Sequence, residues 1–363
     1  MNIELLSAYD TQRWHEILAE IGNYDFYHLP EYHLLSEKTD EWKSHLFVYR
    51  EESLIAAWPM IIRDVDKVNG LETCGNGYYD ATSVYGYPGP ICNTHVFNNQ
   101  NFIRRFHEEF INVAKNNNIV CIFSRLNPII ENVLLINNPD AAIFSGETIV
   151  IDLSETDELR ISKYRKNYRY EIRKSRQNGM NCFLDHKWKY FNEFQKLYTA
   201  TMKRVGASDE YFFSSDYFLG LREALASRLS LFIAEKEGRI CSCALFVRTG
   251  DIVQYHLSAT DLYCGEPSAS KLIIDEVCKW AKNGGARYLH LGGGVGGRND
   301  SLFAFKSGFS NLRRKFFVYK HIVLPEIYFS IVEARKNWLE QHGQKQVLDS
   351  YFPVYRSSKT IDL

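Results

Sequence analysis

Residues 289–310 read LHLGGGVGGRNDSLFAFKSGFS, with five glycines in the six positions 292–297 and Lys306 a short way beyond. Gly292, Gly294 and Gly297 satisfy GxGxxG behind the strand-like ARYLHLG, the pattern of a dinucleotide-binding turn. Context rejects that chemistry. The acidic residue such sites carry about 20 positions on is replaced here by Leu312-Arg313-Arg314-Lys315, and no βαβ unit opens at this point. A P-loop fails as well, because Gly297 is followed by Arg298 and Asn299 in place of lysine and a hydroxyl residue. What is left is a loop whose amides can approach a ligand closely and adopt positive φ, or a plain mobile connection.

Behind the loop, Asp300 or Ser301 can cap a short helix over Leu302–Lys306 that Gly308 closes. A lysine at the end of an apolar run suits an ammonium held at a pocket edge, where it can stabilise an oxyanion; the alternative is a lysine snorkelling along the surface. His256 and His290 lie on neighbouring strand-like runs and are candidate bases, although a single histidine beside a strand is more often structural. Tyr79, Tyr85 and Tyr87, in YYDATSVYGYPGP, are candidates to line an acceptor cleft or to pack a buried loop. Eight cysteines carry no CxxC pair and no His/Cys cluster, so buried reduced thiols are expected and a metal is not.

The elements that must hold these residues occur twice. LFVYREESLIAAWPM at 46–60 and LFIAEKEGRICSCALF at 231–246 each read as a hairpin. AKNNNIVCIFSR at 114–125 matches AKNGGARYLHLG at 281–292, a helix stopped by Asn or Gly and followed by a strand. Repetition of hairpin, helix and strand in the same order implies two α/β domains of similar topology. Between the copies a helix is expected from a cap at Ser154 or Thr156 to Gly179. Its apolar stripe is Ile161, Tyr164, Tyr168 and Ile172, and Arg165, Arg169, Arg173 and Arg176 lie on another. From Arg160 to Arg176 eight basic residues face the single acid Glu171, which fits anion contact or a solvated surface.

At 363 residues, 45% apolar and 24% charged, the chain is expected to be a two-domain globular protein. A net charge of -1 gives no global attraction to nucleic acid or anionic membrane. The amino-terminal MNIELLSAYD has no secretory pattern and no stretch approaches a membrane span, so a cytoplasmic protein is expected.

YHLSAT (255–260), Pro267 with the helix after it, LHLGGG (289–294), DSLFAFKSGF (300–309) and KYRKNYRYEIRKSRQNG (163–179) together resemble the FemAB-like transferases and their acyltransferase relatives. The resemblance covers most of residues 150–320; the amino-terminal half matches through GYPGP (86–90) and the repeat. It implies an α/β (α+β) fold of tandem GNAT-like domains, each a mixed, mostly antiparallel sheet flanked by helices. Their expected bounds are 1–150 and 151–330, with a helical extension over 331–363. Such proteins pass an acyl group, often aminoacyl from charged tRNA, to an amine of a peptidoglycan precursor, and relatives acylate other amines of surface polysaccharides.

Carried over by the resemblance, Lys306 corresponds to the lysine of the family's Phe-Lys motif, which is implicated in stabilising the transferred carbonyl, and Phe305 to its neighbour. Arg204, in LYTATMKRVG, falls where the family has an arginine gripping the phosphates of a nucleotide-linked acceptor. The catalytic residues expected are thus Lys306, Phe305 and His256, and the substrate contacts expected are Arg204, Tyr255, Tyr79, Tyr85, Gly292, Gly293, Gly294 and Arg298. Two departures matter. Asn127-Pro128 stands where many members have Asp-Pro, which removes a carboxylate base there; and DLYCGEPSASKLI keeps only Gly265 of the usual CoA loop. Amides of the helix start after Pro267 can still hold an anion. The donor therefore stays open between acyl-CoA, acetyl-CoA included, and aminoacyl-tRNA. With no inserted helical arm, tRNA contact would fall to the domain surfaces and the basic helix.

The expectation is an N-acyltransferase acting on a small-molecule acceptor, a nucleotide-linked amino sugar or a lipid-linked envelope precursor, with no bound cofactor and no DNA. The competing expectation is a non-catalytic RNA-binding protein using the Arg/Tyr helix, since basic residues interleaved with aromatics suit single strands.

Overall fold

A computed structural model of the chain describes residues 1–37, 42–96, 99–347, 351–358 and 360–362. It divides into unit 1, Met1–Phe144 with Phe316–Leu363, and unit 2, Ser145–Lys315.

Unit 1 begins with β1 (Asn2–Ser7), α1 (Thr11–Ile21), α2 (Pro30–Leu35), β2 (Trp42–Glu51), β3 (Leu54–Asp64), β4 (Tyr79–Thr82), β5 (Ile91–Cys92), α3 (Gln100–Asn116) and β6 (Ile119–Arg125). β2 and β3 form the first expected hairpin, antiparallel from Trp42↔Arg63 to Glu51↔Leu54. Alternation along them buries Phe47, Tyr49, Ala56 and Trp58 against Phe102, Phe106 and Phe110 of α3. α3 is capped by Asn99, whose side chain accepts from the Phe102 amide, and it stops where Asn118 takes φ 54°. β6 then runs parallel to β4.

Unit 2 follows with β7 (Ala142–Asp152), α4 (Asp157–Ser162), α5 (Lys166–Gln177), β8 (Asn181–Leu184), α6 (Phe191–Val205), α7 (Ser215–Leu225), β9 (Leu229–Lys236), β10 (Arg239–Thr249), β11 (Ile252–Thr260), α8 (Ala269–Asn283), β12 (Tyr288–Gly292) and α9 (Ser301–Lys306). Its strands lie in the order β7-β12-β11-β10-β9-β8, all neighbours antiparallel except β11 with β12. α8 packs its Leu272, Ile273, Val277 and Cys278 over this sheet, joined by Tyr164, Tyr168 and Ile172. The second hairpin is β9–β10, and α8–β12 repeats α3–β6, so the internal echo is topological: each unit has a hairpin, a strand, a helix and a strand parallel to the first.

The chain then enters β13 (Arg313–Ile322) and α10 (Pro325–Gln341). From Val318 to Ile322, β13 pairs antiparallel with β6, so it completes the sheet of unit 1, as β7 completes that of unit 2. This corrects the expected bounds of 151–330 and 331–363: residues after Lys315 belong to unit 1. The physical reason is a shared core and a buried charge cluster. Tyr328, Ile331 and Tyr355 pack with Val65, Leu71, Val120 and Cys121. Asp80, fully buried, accepts from Arg63 Nε at 2.7 Å, from Tyr355 Oη at 3.0 Å and from Arg356. Burial alone would raise the Asp80 carboxyl, but Arg63 and Arg356 hold it below the usual carboxylate range.

Two further expectations change. The single helix over 156–179 is two, capped by Thr156 and broken at residues 163–165, where the Arg165 amide donates to Gly308 O at 2.8 Å. Cys241 and Cys264, read as buried thiols, are joined by a disulfide with Cα atoms 5.3 Å apart.

Candidate active site

The site in unit 2 starts from an interrupted ladder. β11 and β12 pair over Ile252↔Tyr288, Val253↔Leu289 and Gln254↔His290, and among the described residues the pairing stops there. Each strand carries its own irregularity at that level. β11 slips against β10 around His256, so Leu245 faces Leu257 while Phe246 faces Tyr255. β12 slips against β7 between His290 and Gly292, where Gly292 has φ 75°. A bulge bends a strand and sharpens its twist, so two parallel strands with bulges at one level part company. β11 continues to Thr260 without β12, and such an edge can pair with an extended ligand that carries amides. At its far end α6 supplies partners: Thr201 Oγ1 accepts from the Thr260 amide at 3.3 Å, and Arg204 donates to Thr260 O at 3.1 Å.

Lys306 sits at the level where the strands part. Asp300 caps α9, accepting from the Phe303 amide at 2.9 Å, and its other oxygen accepts from the Val295 amide at 2.9 Å, so one side chain fixes both helix and loop. The last residue of α9, Lys306, is 8% exposed and its Nζ donates to Gly293 O at 2.6 Å. Burial pulls its pKa down to about 8, against a smaller upward pull from Asp300. At neutral pH the ammonium is still charged, in a place where charge is poorly screened. His290 is close enough to feel it: burial first, and then the Lys306 charge, push the imidazole down to about 3. His290 Nδ1 lies 2.7 Å from Gln254 Oε1, which orients the ring. The structure thus gathers Gln254, His290, Gly293 and Lys306 around the end of the β11–β12 ladder. Such a cation can face an oxyanion, and a neutral imidazole cannot compete with it for that role.

The glycines meet two needs: Gly292, Gly296 and Gly297 take the expected positive φ, at 75°, 61° and 81°, and at three positions there is no room for a side chain. A Cβ on Gly293 would stand 2.8 Å from Glu147 O, and one on Gly297 2.2 Å from Ser145 O. A Cβ on Gly294 would meet Arg298 O at 2.0 Å and Asp300 Oδ1 at 2.4 Å. The loop lies against the backbone of β7 and against its own cap, and of Gly293, Gly294, Gly296 and Gly297, Gly296 alone has open space where a Cβ would stand.

The other expected residues are spread more widely. Phe305 packs on Phe309 and Tyr168, and its carbonyl accepts from Tyr168 Oη at 3.1 Å, which makes it the fastener of α9 to α5. Tyr255 stacks on Phe246 with ring centroids 5.3 Å apart, and burial raises its hydroxyl to about 12. His256 is half-buried at the bulge, with its pKa pushed down to about 4 by burial. Arg204 and Arg298 are exposed, and Arg298 donates to Val295 O at 3.1 Å. Tyr79 and Tyr85 belong to unit 1. Tyr79 packs on the edge of its core, and the exposed ring of Tyr85 lies under Arg125, 5.9 Å from the guanidinium. Asn127 of the Asn-Pro pair is structural: it donates to Tyr87 O and to Asp25, and it accepts from the amides of Ile129 and Ile130. Sequence reading missed Gln254 and Thr201; no periodicity marks them, since their partners lie on other elements. No group of three or more His, Cys, Asp or Glu among the described residues is placed to hold a metal. No helix among them is long and apolar enough to cross a membrane.

Comparison with known proteins bears on the fold. Residues 162–306 match the family described as an acetyltransferase (GNAT) domain. Over 196 residues the chain is 22% identical to the UDP-N-acetylmuramoylpentapeptide-lysine N(6)-alanyltransferase of Weissella viridescens, covering 51% of this chain and 56% of that protein. The chain thus spans little more than half of that relative. Among solved structures, FemX superposes with a TM-score of 0.68 at 13% identity, over 91% of this chain and 100% of that one. A conserved protein of unknown function from Bacteroides thetaiotaomicron gives 0.52 at 13% identity, over 88% and 99%. At these identities the likeness to the solved structures establishes the fold.

Proposed function

From the premise that the chain is a FemAB-like GNAT protein, we propose that it is an N-acyltransferase that acylates an amine of a cell-envelope or surface-polysaccharide precursor. The observation that carries the reading is the buried, charged Lys306 at the point where β11 and β12 part. A neutral acceptor amine attacks the acyl carbonyl of an ester or thioester donor held along the open edge of β11. The C–N bond forms, the C–O or C–S bond breaks, and the amine's proton leaves with the alcohol or thiol. Charge builds on the carbonyl oxygen in between, and the Lys306 ammonium is its partner. A donor of this kind is worth about 2.7–4 kcal/mol of transition-state stabilisation, or about 10²–10³ in rate.

The Weissella relative is named for alanyl transfer to a peptide lysine, which supports a nucleotide-linked or lipid-linked peptide or amino sugar as acceptor and aminoacyl-tRNA or acyl-CoA as donor. In this reading Arg204, exposed at the end of β11, meets an acceptor's phosphates. The test is transfer from radiolabelled alanyl-tRNA or acetyl-CoA to a UDP-linked muramoyl pentapeptide or UDP-amino sugar, followed by chromatography of the product. Product with wild type, and a loss of about 10²–10³ in kcat for Lys306→Ala, is the expected result. Undiminished turnover by Lys306→Ala would remove the assigned role.

A further inference from the structure

One residue of the basic run 160–176 has left the surface. Arg160, on α4, is 1% exposed. Its Nη1 donates to Asp275 Oδ1 at 2.8 Å and to the Tyr164 hydroxyl, and its Nη2 donates to Asp157 at 3.5 Å. The third nitrogen, Nε, is buried and has no acceptor among the described residues. A buried donor with nothing to donate to is costly, and folded chains keep few of them. Arg160 also lines a cavity of about 170 Å³ in unit 2, walled by the end of β7, by α4 and by the segment 309–312 that leads from α9 into β13. The wall is apolar at the buried Ile151 and Phe309, and elsewhere it carries both signs of charge, Arg160 and Lys163 against Asp152 and Glu155. Lys163 and Glu155 are paired with each other. Asp152 uses one oxygen, Oδ1, to accept from the amide and the hydroxyl of Ser154 at 2.9 and 2.6 Å, and its Oδ2 has no donor among the described residues. Two groups of opposite kind are therefore left over on one cavity, the Nε–H of Arg160 and the free oxygen of Asp152.

The geometry points to a binding site for a free α-amino acid, with its carboxylate on Arg160 Nε, its ammonium on Asp152 and its side chain against Ile151 and Phe309. The inference goes beyond the acyl-transfer reading and does not depend on it. Size agrees: a cavity of about 150 Å³ takes a guest as large as benzene, about six non-hydrogen atoms, so this one suits amino acids from alanine to valine. An inorganic anion fits worse, because it would meet the carboxylates of Asp152 and Glu155 with no charge of its own to offer them. A purely apolar guest fits worse as well, since it would seal Nε away from any acceptor. The cavity is also separate from the reacting centre. Gly293, which holds Lys306, lies against Glu147, and from Glu147 to Ile151 β7 runs four residues, roughly 13 Å of extended chain. What joins the two places is the backbone: Phe309 follows Lys306 by three residues, so an occupant of the cavity touches the segment that carries α9 into β13.

The experiment is isothermal titration of the full chain with L-alanine and L-valine, and with propionate, alaninamide and inorganic phosphate as probes. Saturable binding of an amino acid is expected. Propionate and alaninamide each lack one of its two charges and should bind at least about tenfold more weakly, the loss of one charge-assisted hydrogen bond. Replacing Arg160 would also strip the buried Asp275 of a partner and mix folding with binding. Asp152→Asn avoids this, because it keeps Oδ1 for Ser154 and removes only the charge that meets the ammonium. It should weaken alanine at least about tenfold while the melting temperature of the unliganded protein stays the same. Lys306→Met should leave alanine affinity unchanged. Absence of saturation with both amino acids would overturn the inference, and so would propionate or phosphate binding as tightly as alanine. Undiminished affinity in Asp152→Asn, or loss of alanine binding in Lys306→Met, would put the amino acid at another place and overturn it too.

Discussion

Replacing Lys306 by methionine removes a charge while keeping most of the side chain's volume, and the structure says how stability should respond to pH. Burial has brought the ammonium from its ordinary 10.5 down to about 8. At about 1.36 kcal/mol per tenfold change in proton affinity, the folded state disfavours the charged form by about 3 kcal/mol relative to the unfolded chain. Below pH 8 both states carry the proton and that penalty is complete. Between pH 8 and 10.5 the unfolded chain binds a proton that the folded one has lost, so stability rises with pH; above 10.5 the penalty is gone. Methionine has nothing to titrate. The stability of wild type minus that of Lys306→Met should therefore rise by about 3 kcal/mol from pH 7 to 10.5. Taking the difference at each pH cancels the tyrosines and thiols common to both chains; the lost bond to Gly293 O remains in that difference as an offset, so the quantity read is the change of the difference with pH. Urea titrations at half-unit steps give the quantity, provided the denaturant slopes of the two chains agree. A difference that changes by less than about 1 kcal/mol across the range would mean that Nζ is solvated, and the argument for a dry oxyanion partner would fail with it.

Two further outcomes follow from the charges described. Burial holds His256 near 4 and His290 near 3, so the transfer rate should show no histidine inflection between pH 6 and 8; its falling limb should track the loss of the Lys306 proton as pH passes about 8. Lys306→Arg, whose guanidinium keeps its proton, should move that limb upward in a rate profile, and an unmoved limb would assign it to another group. In unit 1, Asp80→Ala leaves Arg63 and Arg356 facing an empty place in the core and should cost about 3–5 kcal/mol in urea denaturation. A loss below about 1 kcal/mol would show the cluster to be open to water.

The features legible in the sequence are those written in local pattern. The two hairpins, the helix-stop-strand repeats, the stripe of Tyr164, Tyr168 and Ile172, and the Asp300 cap all follow from spacing within a few residues. That Lys306 is not a surface lysine was readable because it closes an apolar run. The features that were not legible depend on partners far along the chain. Nothing near Gln254 announces His290, and nothing near Asp80 announces Arg356. The break before α5 is made by the carbonyl of Gly308, a tertiary contact that overrides helix propensity. The glycines were legible only in part: the positive φ of Gly292, Gly296 and Gly297 was expected, but conformational freedom and lack of volume leave the same letter in the sequence, and the backbone of Ser145–Glu147 pressed against Gly293 and Gly297 could not be read from it.

The discontinuity of unit 1 has a consequence for the order of events at the ribosome. Residues 145–315 emerge as one uninterrupted stretch and can close their own sheet, whereas β6 must wait for β13, and Asp80 for Arg356. Between Arg125 and the pairing residues of β13 lie roughly 190 residues, or about 10–40 seconds of synthesis at 5–20 residues per second. For that interval the nascent amino-terminal part carries a bare edge of sequence IVCIFSR and a buried-type aspartate with one of its two arginines, Arg63, in hand. The half of the molecule made first is thus the half finished last, and a nascent-chain chaperone would have its work at β6.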